Sequence, residues 1–81
     1  MKVRVTKKDI DHGKCDLTCC PVALALNRVT QKKWTVLPLV ASCYGYKQKV
    51  VRLPRDVITF ISNFDAGNKV SPFTFELEIP E

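Results

Sequence analysis

The segment FTFELEI, Phe73 to Ile79, constrains this chain more than any other. Phe73, Phe75, Leu77 and Ile79 share one face of a strand, and Thr74, Glu76 and Glu78 share the other, because successive side chains in a strand alternate. A slip of one residue would turn every apolar side chain into water, so the register is strongly specified. Such a strand needs a neighbour. Lys2 to Val5 has the same alternation with the opposite charge: Val3 and Val5 on one face, Lys2 and Arg4 on the other. We therefore expect the first and last strands to pair. Charge pairs across strands contribute about 0.2–1 kcal/mol each, enough to favour this partner over others.

Two helices follow from a 3.6-residue period. Pro21 suits a first helical position, since its φ is fixed and it has no N–H to leave unpaired. Val22, Ala25, Leu26 and Val29 then form one apolar stripe, with Asn27 and Arg28 pointing away and the helix ending near Thr30. Ala23 and Ala25 allow close packing. The second helix starts at Pro54 and carries Val57, Phe60, Ile61 and Phe64 on one face. Asp56 in its first turn suits the positive helix end, and Gly67 should stop it. A short helix is expected over Lys7 to His12, with Thr6 and Asp9 as a capping box and Gly13 as a left-handed stop.

Between the main helices, Trp34 to Val40 reads as a strand, with Pro38 requiring an edge or a bulge. Ser42 to Tyr46 and Lys47 to Leu53 read as two more, with the turn at or beside Gly45. Residues 1–81 then form a single α+β domain: a small, mainly antiparallel sheet of about five strands with two main helices packed on one face. At 81 residues the core is modest, because a chain of this size buries only about 60–65% of its unfolded surface.

The densest chemistry lies in Asp11 to Val29, which holds the sole histidine and three of the four cysteines. His12, Cys15, Cys19 and Cys43 are the candidate ligands for zinc, which takes nitrogen and sulfur donors in a tetrahedron. The competing reading, and the expected one, is that no cofactor binds and the cysteines are small buried hydrophobes. Adjacent Cys19 and Cys20 do not easily reach one ion together, and no second C-x2-C pair is present. A Cys15–Cys43 disulfide is a third option. A catalytic thiol would need a positioned base and a lowered pKa.

Net charge is +5, unevenly spread. Residues 1–55 hold twelve Lys or Arg against Asp9, Asp11 and Asp16, while Lys69 alone faces Asp56, Asp65, Glu76, Glu78 and Glu81 in the remainder. A basic first two thirds suits an acidic partner. The N-terminal MKVRVTKKDI alternates charge with valine and lacks the apolar core of a signal peptide, and no apolar run approaches the length of a membrane span, so a cytoplasmic protein, without membrane association and with reduced cysteines, is expected.

Val5-Thr6 with Asp9-Ile10 and Gly13, a cysteine before Pro21-Val22-Ala23-Leu24-Ala25-Leu26, Leu53-Pro54 before Phe60-Ile61, Phe64-Asp65 with Gly67, and Pro72-Phe73 with Phe75-Glu76-Leu77 follow one another in this order. In that order of motifs the chain resembles a group of short proteins of phages and bacterial prophage regions. The resemblance spans nearly the full length and implies a small accessory protein acting in the host cytoplasm, with no catalytic residues to transfer. The Cys15-x3-Cys19-Cys20 arrangement departs from the C-x-x-C-P of such sequences.

The expected function is binding of a host or phage macromolecule, foremost a protein, such as a defence or regulatory factor that is inhibited. The expected contact residues are Trp34, Tyr44, Tyr46, Lys47, Lys49 and Arg52, since aromatic and arginine side chains dominate interface hot spots. Trp34 and one tyrosine are equally well read as core. The alternative is nucleic-acid binding by a basic strand face of Lys47, Lys49, Arg52 and Arg55, with Lys32 and Lys33 near by and rings interleaved for stacking. No phosphate-binding, metalloprotease or nucleophile-elbow motif is present, so an enzyme is not expected. A homodimer is a further expectation, formed at an open strand edge around Trp34 to Val40.

Overall fold

A computed structural model describes residues 1–43 and 50–78 of the chain. The elements are β1 (Lys2–Val5), α1 (Lys7–His12), α2 (Pro21–Thr30), β2 (Trp34–Val36), β3 (Val40–Cys43), β4 (Val50–Arg52), α3 (Arg55–Asp65) and β5 (Phe73–Glu76). The fold is α+β and every strand pairing is antiparallel. The expected turn at Gly45 and the end of the last strand at Ile79 lie outside the described residues.

The first and last strands are neighbours, as the alternation requires. Lys2 lies opposite Glu76, Val3 opposite Phe75, and Val5 opposite Phe73. The ladder continues where the Leu77 amide donates to the Met1 carbonyl at 2.8 Å.

Among the described residues, the five strands do not form one sheet. β1 and β5 make a two-stranded ladder, while β2, β3 and β4 make a separate three-stranded sheet. The outer edges of β1 and β2 are engaged by side chains and loop backbone. Arg28 donates through Nη2 to the carbonyl of Arg4 on β1 at 2.7 Å. The two outward amides of β2 are also taken: Trp34 N–H by Asn27 Oδ1 at 2.8 Å and Val36 N–H by the Leu17 carbonyl at 2.7 Å. The edge expected to accept a second copy is therefore occupied at both donors.

Helix α2 lies against both sheets, touching β1 on one and β2 on the other. Val22, Ala23, Ala25 and Leu26 are fully buried in a single apolar core that also takes side chains from β1 to β5 and α3. Val29, expected on the buried stripe, is instead exposed, and Asn27, expected to point away, binds β2. The buried face is thus rotated toward Ala23. Cys20 caps this helix, its Sγ accepting from the Ala23 amide at 3.4 Å, with Pro21 in the first turn.

The strand expected over Trp34–Val40 turns back on itself. Leu37, Pro38 and Leu39 form the tip of a β2–β3 hairpin, closed by the Leu37 amide on the Val40 carbonyl at 2.8 Å. Pro38 marks that turn, where it withholds no ladder donor.

α3 buries Val57, Phe60 and Ile61. Phe60 packs on Phe73 with ring centroids 4.7 Å apart, which ties α3 to β5. The helix ends at Ala66, and Gly67 adopts φ 80°. Asn68 N–H bonds to Asn63 O and Gly67 N–H to Phe64 O, the paired bonds of a Schellman stop.

Candidate functional site

The loop between α1 and α2 carries three of the four cysteines. A chain of short bonds shapes it: Lys14 N–H to Cys19 O, and Cys19 and Cys20 N–H to Asp16 O. Asp16 Oδ1 accepts both the amide and the hydroxyl of Thr18, at 2.8 and 2.9 Å, and these two bonds, amide first, hold its carboxyl below the usual range.

This loop sends its thiols to different places. Cys19 lines a groove between α1 and α2 together with His12. Cys15 lines a second groove beside Asp65 and Ile61. Cys20 and Cys43 are buried in the core. The expected ligand set His12, Cys15, Cys19 and Cys43 is therefore not brought together, and among the described residues no cluster of three or more His, Cys, Asp or Glu is placed to hold a metal ion. No disulfide joins the cysteines, Cys15 and Cys43 included.

Cys15 and Cys20 are held away from the thiolate form. Asp65 pushes the Cys15 thiol up, by accepting its hydrogen bond and by its own charge. Burial pushes Cys20 up, against weaker help from the Ala23 and Val22 amides. Both shifts lower the thiolate fraction on which nucleophilic chemistry depends.

The first groove is an open cleft of about 590 Å³ lined by α1 and α2. Lys8 and His12, one helical turn apart, form one wall. Leu24 and Arg28, also one turn apart, form the other, since positions four apart lie on one helix face. Lys14 and Cys19 close the end. At its base Asp9 is 6% exposed. Asp9 Oδ2 accepts the Thr6 amide at 2.9 Å, Thr6 Oγ1 accepts the Asp9 amide at 3.2 Å, and Arg28 Nη1 binds Asp9 Oδ1. Burial alone would raise the Asp9 pKa. The Arg28 hydrogen bond, the Thr6 amide and hydroxyl, and the Arg28 charge outweigh it, so the carboxyl sits below its ordinary value. The capping box was legible in the sequence, but Arg28 as its partner nineteen residues away was not.

The second surface surrounds the β2–β3 turn. Leu39 is 62% exposed, Leu17 51% and Leu37 36%. The Leu17 carbonyl binds the Val36 amide next to Leu37, and Leu17 and Leu39 line neighbouring grooves. Two shallow grooves flank the tip and share Ile61 and Asp65; Cys15, Asp16 and Val36 line one, Pro38, Leu39 and Ile58 the other.

Of the expected contact residues, Trp34 is 2% exposed, and its indole N–H donates to Thr30 Oγ1 at 2.8 Å. It is a core residue anchoring β2 to the end of α2, which corrects its reading as an interface ring. Tyr44, Tyr46, Lys47 and Lys49 lie outside the described residues. Arg52 and Arg55 are exposed, but Arg52 shares a groove with Glu76 and Glu78, whose carboxylates offset its field. Sequence reasoning missed Leu17, Leu37 and Leu39. Two leucines around a proline were the available signal, hidden by reading Trp34 to Val40 as one strand.

Comparison with models of known protein families, with curated proteins and with solved structures finds no match. The fold defines a small α+β globule. Among the described residues no helix is long and apolar enough to cross a membrane.

Proposed function

We propose that this chain is a small accessory domain that acts by binding another protein, and that the β2–β3 turn with the adjoining cysteine loop is the contact surface. The observation that carries the reading is the exposure of Leu17, Leu37 and Leu39 beside two grooves that share Ile61 and Asp65. Single exposed leucines are ordinary, whereas clustered ones beside grooves mark contact surfaces. Asp16 and Asp65 flank the tip, so the surface suits a partner that offers apolar side chains with basic neighbours. The resemblance in motif order to short phage proteins supports an accessory role.

The test is capture by tagged wild-type protein and by the Leu37→Asp/Leu39→Asp double variant from one lysate, after nuclease treatment. Both side chains are exposed, and the hairpin's bonds there are made by backbone, so the variant should retain its fold by circular dichroism. A partner held by wild type and lost with the variant is the expected result. Capture that the variant leaves unchanged, or that nuclease abolishes, would overturn the reading; the second outcome would shift attention to the basic residues.

A further inference from the structure

We propose that the groove between α1 and α2 is a second binding site, which seats an acidic peptide segment carrying an apolar residue next to its carboxylates. The reading is independent of the hairpin-tip surface and concerns another side of the chemistry, namely the unevenly placed positive charge.

The composition of the walls carries the inference. Lys8, Lys14 and Arg28 line the groove and Asp9 is the one acid among its lining residues. Asp9 is buried and already committed to Arg28 and Thr6, so it neutralises Arg28 but leaves the two lysines unmatched within the lining. Arg28 is in turn held at both ends, by Asp9 Oδ1 and the Arg4 carbonyl, while its side chain remains 48% exposed. A guanidinium fixed in this way meets a ligand without first losing conformational freedom. Leu24 and Cys19 add an apolar wall.

These features select among anions. Free inorganic phosphate would use the cations but not Leu24. A nucleic-acid strand would call for aromatic platforms for successive bases, and no Phe, Tyr or Trp lines the groove, only the single imidazole of His12. A peptide with alternating acidic and apolar residues uses both: carboxylates on Lys8, Lys14 and the outer edge of Arg28, and an apolar side chain on Leu24 and Cys19. Charge complementarity of this kind chiefly sets specificity and association rate.

The cysteines provide an internal control. Cys19 lies in this groove and Cys15 in the other. An occupant should shield Cys19 from alkylation while Cys15 reacts as before. The probes are a labelled octapeptide of alternating glutamate and leucine, its glutamine counterpart, inorganic phosphate and a single-stranded oligothymidylate. Anisotropy measures affinity, and mass spectrometry of iodoacetamide-treated protein measures protection at each cysteine. The glutamate peptide should bind roughly tenfold or more tightly than the glutamine one, and protect Cys19 alone. Lys8→Gln/Lys14→Gln should lose that preference, and Leu24→Asn should weaken the peptide without restoring phosphate binding.

Equal binding of the two peptides, protection of Cys15 instead of Cys19, tighter binding of the oligonucleotide, or no peptide binding at millimolar concentration would each overturn the proposal. Lys8 and Lys14 are exposed, so their substitution leaves the core intact. The Leu37→Asp/Leu39→Asp variant, with its groove unaltered, should bind the peptide like wild type; failure of the hairpin-tip reading and failure of this one are therefore separable.

Discussion

At Gly13 an added Cβ would lie 2.6 Å from both Cγ and Cδ of Pro21 and 2.8 Å from the Asp9 carbonyl oxygen. Its φ is −70°, so the left-handed stop expected from the sequence is absent, and glycine is needed for room. Gly67 is the converse: its φ is 80° and nothing stands within 4 Å of an added Cβ. Gly13→Ala should therefore cost about 1–3 kcal/mol through overpacking against Pro21. Gly67→Ala should cost about 1–2 kcal/mol through the left-handed backbone alone. Urea unfolding measures both, and a neutral Gly13→Ala would show that Pro21 can give way. A second residue-scale expectation concerns Asp9. Its folded pKa lies below its ordinary value, so the unfolded chain takes up the proton first as pH falls. The contribution to stability is then complete above the unfolded value and disappears as pH drops through the folded one. Wild type should lose stability from about pH 4 downward, and Asp9→Asn, weaker at pH 7, should show a flatter profile there. Parallel profiles for the two proteins would mean that Asp9 contributes nothing through its charge.

At the scale of elements, the alternation of Phe73 to Leu77 and of Lys2 to Val5 carried enough information to make β1 and β5 neighbours, while the register, with Lys2 opposite Glu76, is read from the structure. Lys2→Glu would set two carboxylates opposite each other and should cost about 0.2–1 kcal/mol; the loss should shrink at high salt, because both groups are exposed. An unchanged urea midpoint would remove the charge argument for this pairing and leave the apolar face to account for it. Helix limits were also legible, because Thr6 and Asp9, Pro21, Pro54 and Gly67 are local signals. The hairpin was not. Trp34 to Val36 and Val40 to Cys43 share one β-rich composition, and only Pro38 between them marked a change of direction. The groove was equally hidden, since Lys8, Lys14 and Arg28 come together only when α1 folds back on α2. The placement of the cysteines was hidden for a related reason: close spacing in a loop does not say which way each side chain turns, and Cys15 and Cys19 line different grooves.

At the scale of the whole molecule, two small sheets that share no strand must be joined by something else. A two-stranded ladder is marginal by itself, and β1–β5 gains its stability from packing. Helix α2 touches β1 and β2, and its Arg28 and Asn27 occupy groups on β1 and β2 respectively. Loosening α2 should therefore loosen both sheets together, even though no backbone ladder connects them among the described residues. Val22 is fully buried on this helix. Val22→Ala removes two methyl groups and should cost about 1.5–2 kcal/mol at roughly 0.8 kcal/mol per buried carbon, a large part of the stability of a small domain. Amide hydrogen exchange reads the consequence. If the molecule is one cooperative unit, protection should fall by the same factor in β1, β5, β2 and β3, because all of them exchange through the same opening. If protection falls in one sheet while the other keeps its own, α2 belongs energetically to one sheet, and the chain consists of two units that happen to share an apolar interior.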